Sequence, residues 1–209
     1  MTSHLVVALS TLLGSTAAPS DTVGAGRAQY RIEPAKSRFI VETQTSGLSL
    51  LFAHDHRIEA SEFSGVATFS RRDQGAAALE LTVRATSLHL IDDKSIAERA
   101  AIESALRDDV LETAKYPEIA FKSKVVTTER RGDGSYDARL TGQLLLHGVR
   151  RTVVVPARVA LEGDTLHAIG VFELRQSDFK ITPFSFVKGG VVIRDNVTIS
   201  FDIVATKSP

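Results

Sequence analysis

The feature that most constrains this chain is a period of two that recurs along it. Near the C-terminus, Val197, Ile199, Phe201, Ile203 and Ala205 alternate with Thr198, Ser200 and Asp202. Successive strand side chains point to opposite faces, so such a segment has one dry face and one wet face. Leu79, Leu81, Val83 and Ala85 alternate in the same way with Glu80, Thr82 and Arg84. Ile119, Phe121 and Val125, set against Glu118, Lys122 and Lys124, predict another strand with Val125 on its dry face. Further strands are predicted to begin near Ser37, His54, Phe63, Tyr136, Thr152 and Thr165. Turn chemistry separates them: Gly132-Asp133-Gly134, His147-Gly148 and Glu162-Gly163-Asp164. Short turns between consecutive strands imply antiparallel pairing.

One segment departs from this period. Ser95 and Glu98 have capping-box spacing, and Ile96, Ala100, Ile102 and Leu106 follow at helical intervals. The spacing predicts a helix from about Ser95 to Asp108, then a shorter turn from Val110 to Thr113 that ends at Tyr116-Pro117. Roughly eight strands with one inserted helix predict an all-β chain. One-sided alternation on so many antiparallel strands leaves two raw edges unless the sheet closes. A closed antiparallel barrel is therefore expected, with a two-sheet sandwich as the alternative. A barrel of about eight strands is either filled by side chains or wide enough for one slender ligand.

The chain has 209 residues, enough for one domain with a real core. Lys+Arg and Asp+Glu each total 25, and basic residues cluster only in pairs, so no stripe is available to neutralise nucleic-acid phosphates. With no cysteine, disulfides, thiolate metal sites and a cysteine nucleophile are excluded. No run is long and apolar enough to span a bilayer. Residues 1–25 read as a secretory signal and linker. Leu5 to Leu13 form a short apolar core, and Ser15-Thr16-Ala17 supply the small residues of a cleavage site, although no Lys or Arg precedes Arg27. A periplasmic or secreted location is expected, with residues 26–209 forming the barrel domain.

No nucleophile elbow, phosphate loop, dinucleotide fingerprint or His-Glu-x-x-His helix occurs, so no enzyme and no cofactor is expected. Asp92 and Asp93 precede the helix start, where negative charge suits the helix dipole. The stretch that invites chemistry is Leu51-Phe52-Ala53-His54-Asp55-His56-Arg57. On a strand, His54 and His56 share a face and Asp55 takes the other. Three roles stay open for the pair: two ligands of a metal, contact with a ligand headgroup, or structure alone. Two ligands are too few for zinc, and His89, Asp92 and His147 are the candidate partners, so no metal is assigned.

Five segments in order resemble the YceI-like family of lipid- or polyisoprenoid-binding proteins. They are YRIEPAKSRFIVET from Tyr30, HDHRIEASEFSGVATF from His54, DDVLETAKYPEIAFKS from Asp108, LTGQLLLHGVRRTVVVP from Leu140 and LRQSDFKI from Leu174. The resemblance implies a lipocalin-like barrel with an apolar ligand in its interior. It implies a ligand-facing surface that includes Phe39, Val41, Phe52, Phe63, Phe69, Leu88, Phe121, Leu144, Leu146 and Phe179, with His54 and His56 added at the mouth. The partner so implied is a small molecule of isoprenoid, quinone or fatty-acid type, and assembly as a homodimer is left open. The alternatives are a metal-binding protein built on His54 and His56, and a filled structural or stress-response barrel. The sequence departs from the family in FAHDH, which has two histidines and no glycine directly after them, so the fold carries over more firmly than the ligand.

Overall fold

The computed structural model describes residues 27–46, 55–70, 77–183, 185–186 and 191–209. Its strands are β1 (Ala28–Ile32), β2 (Arg38–Ser46), β3 (His56–Ala60), β4 (Phe63–Phe69), β5 (Ala78–Arg84) and β6 (Leu88–Leu90), followed after the helix α1 (Ile96–Ala105) by β7 (Glu118–Arg130), β8 (Tyr136–Leu146), β9 (Val149–Glu162), β10 (Thr165–Arg175), β11 (Ser185–Phe186) and β12 (Val191–Lys207). The described pairings are all antiparallel.

These strands form a closed barrel of eight rows. β12 pairs with β10 along one edge and with both β1 and β2 along the other, so β1 and β2 lie end to end. β4 and β3 continue each other in the next row, and β5 and β6 in the one after. Expecting eight strands was correct for the rows. Each of the first three rows is broken in two, by the 3₁₀ turn Pro34–Lys36, by Ser61-Glu62 and by the 3₁₀ turn Ala85–Ser87. Pro34 opens the first break because its ring fixes φ and removes a ladder donor.

The period of two is visible in the burial. Tyr136, Ala138, Leu140 and Leu144 of β8 are buried, as are Val197, Ile203 and Ala205 of β12. One expectation is corrected on β7. Val125 is 58% exposed, while Val126 is 8% exposed. Ser123 faces Gly142 and Val125 faces Thr141, so Lys124 is an extra residue opposite one partner step. This bulge flips every later side chain of the strand to the other face.

The helix begins with the expected capping box. Ser95 Oγ accepts the Glu98 N–H at 3.3 Å, and Glu98 Oε2 accepts the Ser95 N–H at 3.1 Å. Its end differs from expectation: α1 stops at Ala105 and continues as a π-turn from Leu106 to Val110. Ile96, read as the first apolar contact, is 89% exposed. The helix is held to β6 by side chains more than by its apolar stripe. Glu103 accepts the Leu90 N–H at 3.0 Å, and Arg99 donates to the Leu90 and Asp92 carbonyls.

Two strand glycines, Gly142 and Gly170, stand where neighbouring strands leave no room for a side chain. A Cβ on Gly142 would lie 2.5 Å from the Lys122 carbonyl oxygen and 2.6 Å from the Phe121 ring. One on Gly170 would lie 2.3 Å from the Phe201 ring and 2.4 Å from the Pro156 carbonyl oxygen. Neither contact can be relieved by a flexible side-chain end alone, because each includes backbone of the next strand. We expect Gly170→Ala to cost roughly 1–3 kcal/mol in urea unfolding through this overpacking. An unchanged midpoint would show that β9 and β10 can part at no cost.

Candidate ligand cavity

Inward positions of the eight rows enclose a cavity of about 280 Å³, near the lower end of the range for small-molecule sites. Its lining carries no charged side chain among the described residues, and Thr43, Thr68, Thr128 and Gln176 are its polar members. At the base, Phe69 lines the cavity and meets Tyr136 edge-on, 5.0 Å between ring centres. Tyr30 and Tyr136 are buried there. At the other end, Leu106, Val110 and Leu111 reach over the cavity from the π-turn and the residue after it.

Of the residues expected on the ligand-facing surface, Phe39, Val41, Phe69 and Leu88 line the cavity, and so do Phe121, Leu144 and Leu146. Phe63 and Phe179 do not. Phe63 is buried behind Phe39, edge-on at 5.0 Å. Phe179 is 1% exposed and belongs to the 3₁₀ turn Gln176–Phe179 after β10, where it plugs the wall instead of facing the void. Phe52 and His54 lie outside the described residues, so the geometry of the histidine pair is not described. Among the described residues, no group of three His, Asp or Glu side chains converges as a metal site would require.

His56 begins β3 on the inward face, two residues before the cavity-lining Ile58. Its Nδ1 lies 2.9 Å from Asp92 Oδ2, and Asp92 Oδ1 accepts the Arg57 N–H at 3.0 Å. Of the partners suggested for it, Asp92 therefore converges, in addition to lying before the helix start. His89 stands 4.0 Å from Glu59 instead. His147 is elsewhere on the rim, between Glu112 Oε2 at 2.8 Å and the Phe179 carbonyl oxygen at 3.2 Å, with the Tyr116 ring edge-on at 4.4 Å. The sequence marked His147-Gly148 only as a turn, and positive φ values of 50° and 71° bear that out. Its bond to Glu112 had no local signal, because 35 residues separate them.

The turn carrying Phe179 is pinned by Asp195, which accepts the Ser177 N–H at 2.7 Å and the Ser177 hydroxyl at 2.5 Å. These two bonds, hydroxyl first, hold the Asp195 carboxyl below its usual range. A carboxyl lowered on folding contributes stability above its unfolded value, and that contribution is lost as pH falls through the folded one. Asp195→Asn should therefore be less stable than the parent near neutral pH, and the gap should close below about pH 4. Urea midpoints measured as a pH series check this. A gap that persists unchanged at the acid end would detach the effect from the Asp195 charge.

A closed antiparallel barrel around a cavity that the described residues line with apolar side chains is the class of protein that the structure defines. Residues 30–205 match the YceI-like domain, and the chain belongs to that family. It is 36% identical over 104 residues to protein YceI of Escherichia coli O17:K52:H18, covering 49% of this chain and 48% of that one. A UPF0312 protein of Pseudomonas savastanoi pv. phaseolicola is 29% identical over 139 residues, 65% of this chain and 64% of its own. The chain spans about half the length of the first of these relatives in the match. Among solved structures, Burkholderia cenocepacia BcnA superposes with a TM-score of 0.65 at 22% identity, covering 84% of this chain and 99% of that one. A polyisoprenoid binding domain from Saccharophagus degradans does so at 0.60 and 14%, covering 86% and 98%. At these identities the superpositions establish the shared barrel fold.

Proposed function

We propose that this protein is a non-enzymatic carrier that holds one elongated apolar molecule inside its barrel and works outside the cytoplasm. The observation that carries the reading is the cavity, which the described residues wall almost entirely with aliphatic and aromatic side chains and with no charged one. An apolar chain leaving water for such a space gains roughly 0.8 kcal/mol per buried methylene. The ligand we infer is a single slender chain of isoprenoid, quinone or fatty-acid kind, in keeping with a barrel of eight rows. The structural neighbour from Saccharophagus degradans, described as a polyisoprenoid binding domain, is in keeping with this choice. The apolar run Leu5 to Leu13 and the small residues ending at Ala17 support export.

Native mass spectrometry of protein purified from its own host should reveal a co-purifying apolar molecule. Phe121→Asp places an unpaired charge on the cavity wall, which is costly to bury, so folded variant protein should lose that added mass. Parent protein that carries no such molecule and takes up no long-chain probe would overturn the carrier reading. A folded Phe121→Asp protein that keeps its ligand would place the ligand elsewhere. Mature protein from the host should begin after Ala17; intact Met1 on the native protein would defeat the export proposal.

A further inference from the structure

The rim histidine is built as a one-sided hydrogen-bonding group. Asp92 is fixed by the Arg57 N–H, and its other oxygen faces His56 Nδ1. A carboxylate accepts, so Nδ1 carries the proton, and in the neutral ring Nε2 is left with a bare lone pair. Among the described residues, His56 Nε2 has no hydrogen-bond partner, although the His56 side chain is only 18% exposed and that of Asp92 14%. The same ring stands on the inward face of β3, directly across from Thr43 of β2, a polar member of the cavity lining. The polar rim group thus shares a face with the apolar cavity wall and stands just outside the lining, beyond Ile58 and beside Thr43.

We propose that His56, oriented by Asp92, is the headgroup subsite of the cavity, and that it accepts a hydrogen bond from an uncharged hydroxyl at the end of the apolar chain. This rests on the carrier reading above and narrows it to a class of ligand. Charge decides against an anionic head. With the ring neutral the dyad carries the full negative charge of Asp92, and with the ring protonated it carries none, so in neither state is it positive. Of the nearby cations, Arg57 faces Glu42 at 3.5 Å, while Arg99 keeps its charge but turns it away from the ring, with its guanidinium donating to the Leu90 and Asp92 backbone carbonyls. Asp55 adds a further negative charge beside the rim, accepting the Thr45 N–H at 3.0 Å. A carboxylate or diphosphate head would meet like charge, whereas an alcohol or the hydroxyl of a reduced quinone offers the donor that Nε2 lacks.

The test measures displacement of a fluorescent apolar probe by three molecules of one chain length: hexadecan-1-ol, its methyl ether and hexadecanoate. The parent protein should bind the alcohol about tenfold more tightly than the ether, the size of one hydrogen bond to a partly buried acceptor, and should bind the carboxylate most weakly. Asp92→Asn is the decisive variant. The carbonyl oxygen of the introduced amide keeps the Arg57 N–H bond, so its N–H₂ group turns to His56 Nδ1 and drives the proton to Nε2. The subsite then donates, and the preference should shift from the alcohol toward the ether and the carboxylate. His56→Phe keeps a ring and removes both nitrogens, so alcohol and ether should become equal even if Asp92→Asn folds poorly. A parent that binds all three chains equally, or an Asp92→Asn protein that keeps the alcohol preference, would overturn the subsite. A parent that binds none of the chains and carries none from its host would instead overturn the carrier reading on which it rests.

Discussion

The structure depends on one constraint: a sheet with a dry inner face must leave no raw edge, and β12 meets it. At 17 residues it is long enough to pair with β10 on one side and with two separate strands on the other. Val204 shows how tightly this seam is closed. Its carbonyl takes the Glu33 N–H at 2.9 Å, and its own N–H donates to the Ser37 hydroxyl at 2.9 Å. Those bonds span the gap left by the Pro34–Lys36 turn, so the seam stays paired where the first row breaks. Without it, the apolar faces of β1, β2 and β12 would form an exposed edge of the kind that aggregates.

A second edge is met by different means. β6 pairs with β3 on one side, and on the other its Leu90 N–H and C=O meet Glu103 and Arg99 of α1. Those two residues are four apart on the helix and so lie on one face. The helix therefore substitutes two side chains for a missing strand. This explains why α1 has no buried residue of its own and still occupies a fixed place: beyond Ile102, the apolar contacts here come from Leu106, Val110 and Leu111, which follow the helix.

The rows of the barrel, its turns and the capped helix start were legible in the sequence because each is written in neighbouring residues. Alternation reports a face directly, and Ser95 with Glu98 reports a helix start directly. The bulge on β7 was not legible: Lys122-Ser123-Lys124 reads as a regular wet-dry-wet run, and only the pairing with Gly142 and Thr141 reveals the extra residue. The cavity wall was legible as a face but not as a void, since Phe63 is a buried strand residue like Phe121 and yet fills space behind the wall, and Phe179 sits in a turn beside it. The rim was least legible. His56 and Asp92 are 36 residues apart in the chain and meet because β6 runs beside β3 and the chain turns back at its end.

The three broken rows give the wall two tiers. Below the breaks, β1, β4 and β5 are stitched to the long strands and to the aromatic plug of Tyr30, Phe69 and Tyr136. Above them, β3 is paired with β6 through three residue steps, from Ile58 facing Leu90 to Ala60 facing Leu88. Amide hydrogen exchange reports cooperative units of this sort, because a short ladder can open while longer ladders stay shut. The upper tier, which carries His56, joins β3 to β6 by half as many residue steps as β4 and β5 share below. The same interruptions that let the wall bend thus leave its two tiers unequally laced, with a short ladder at the rim.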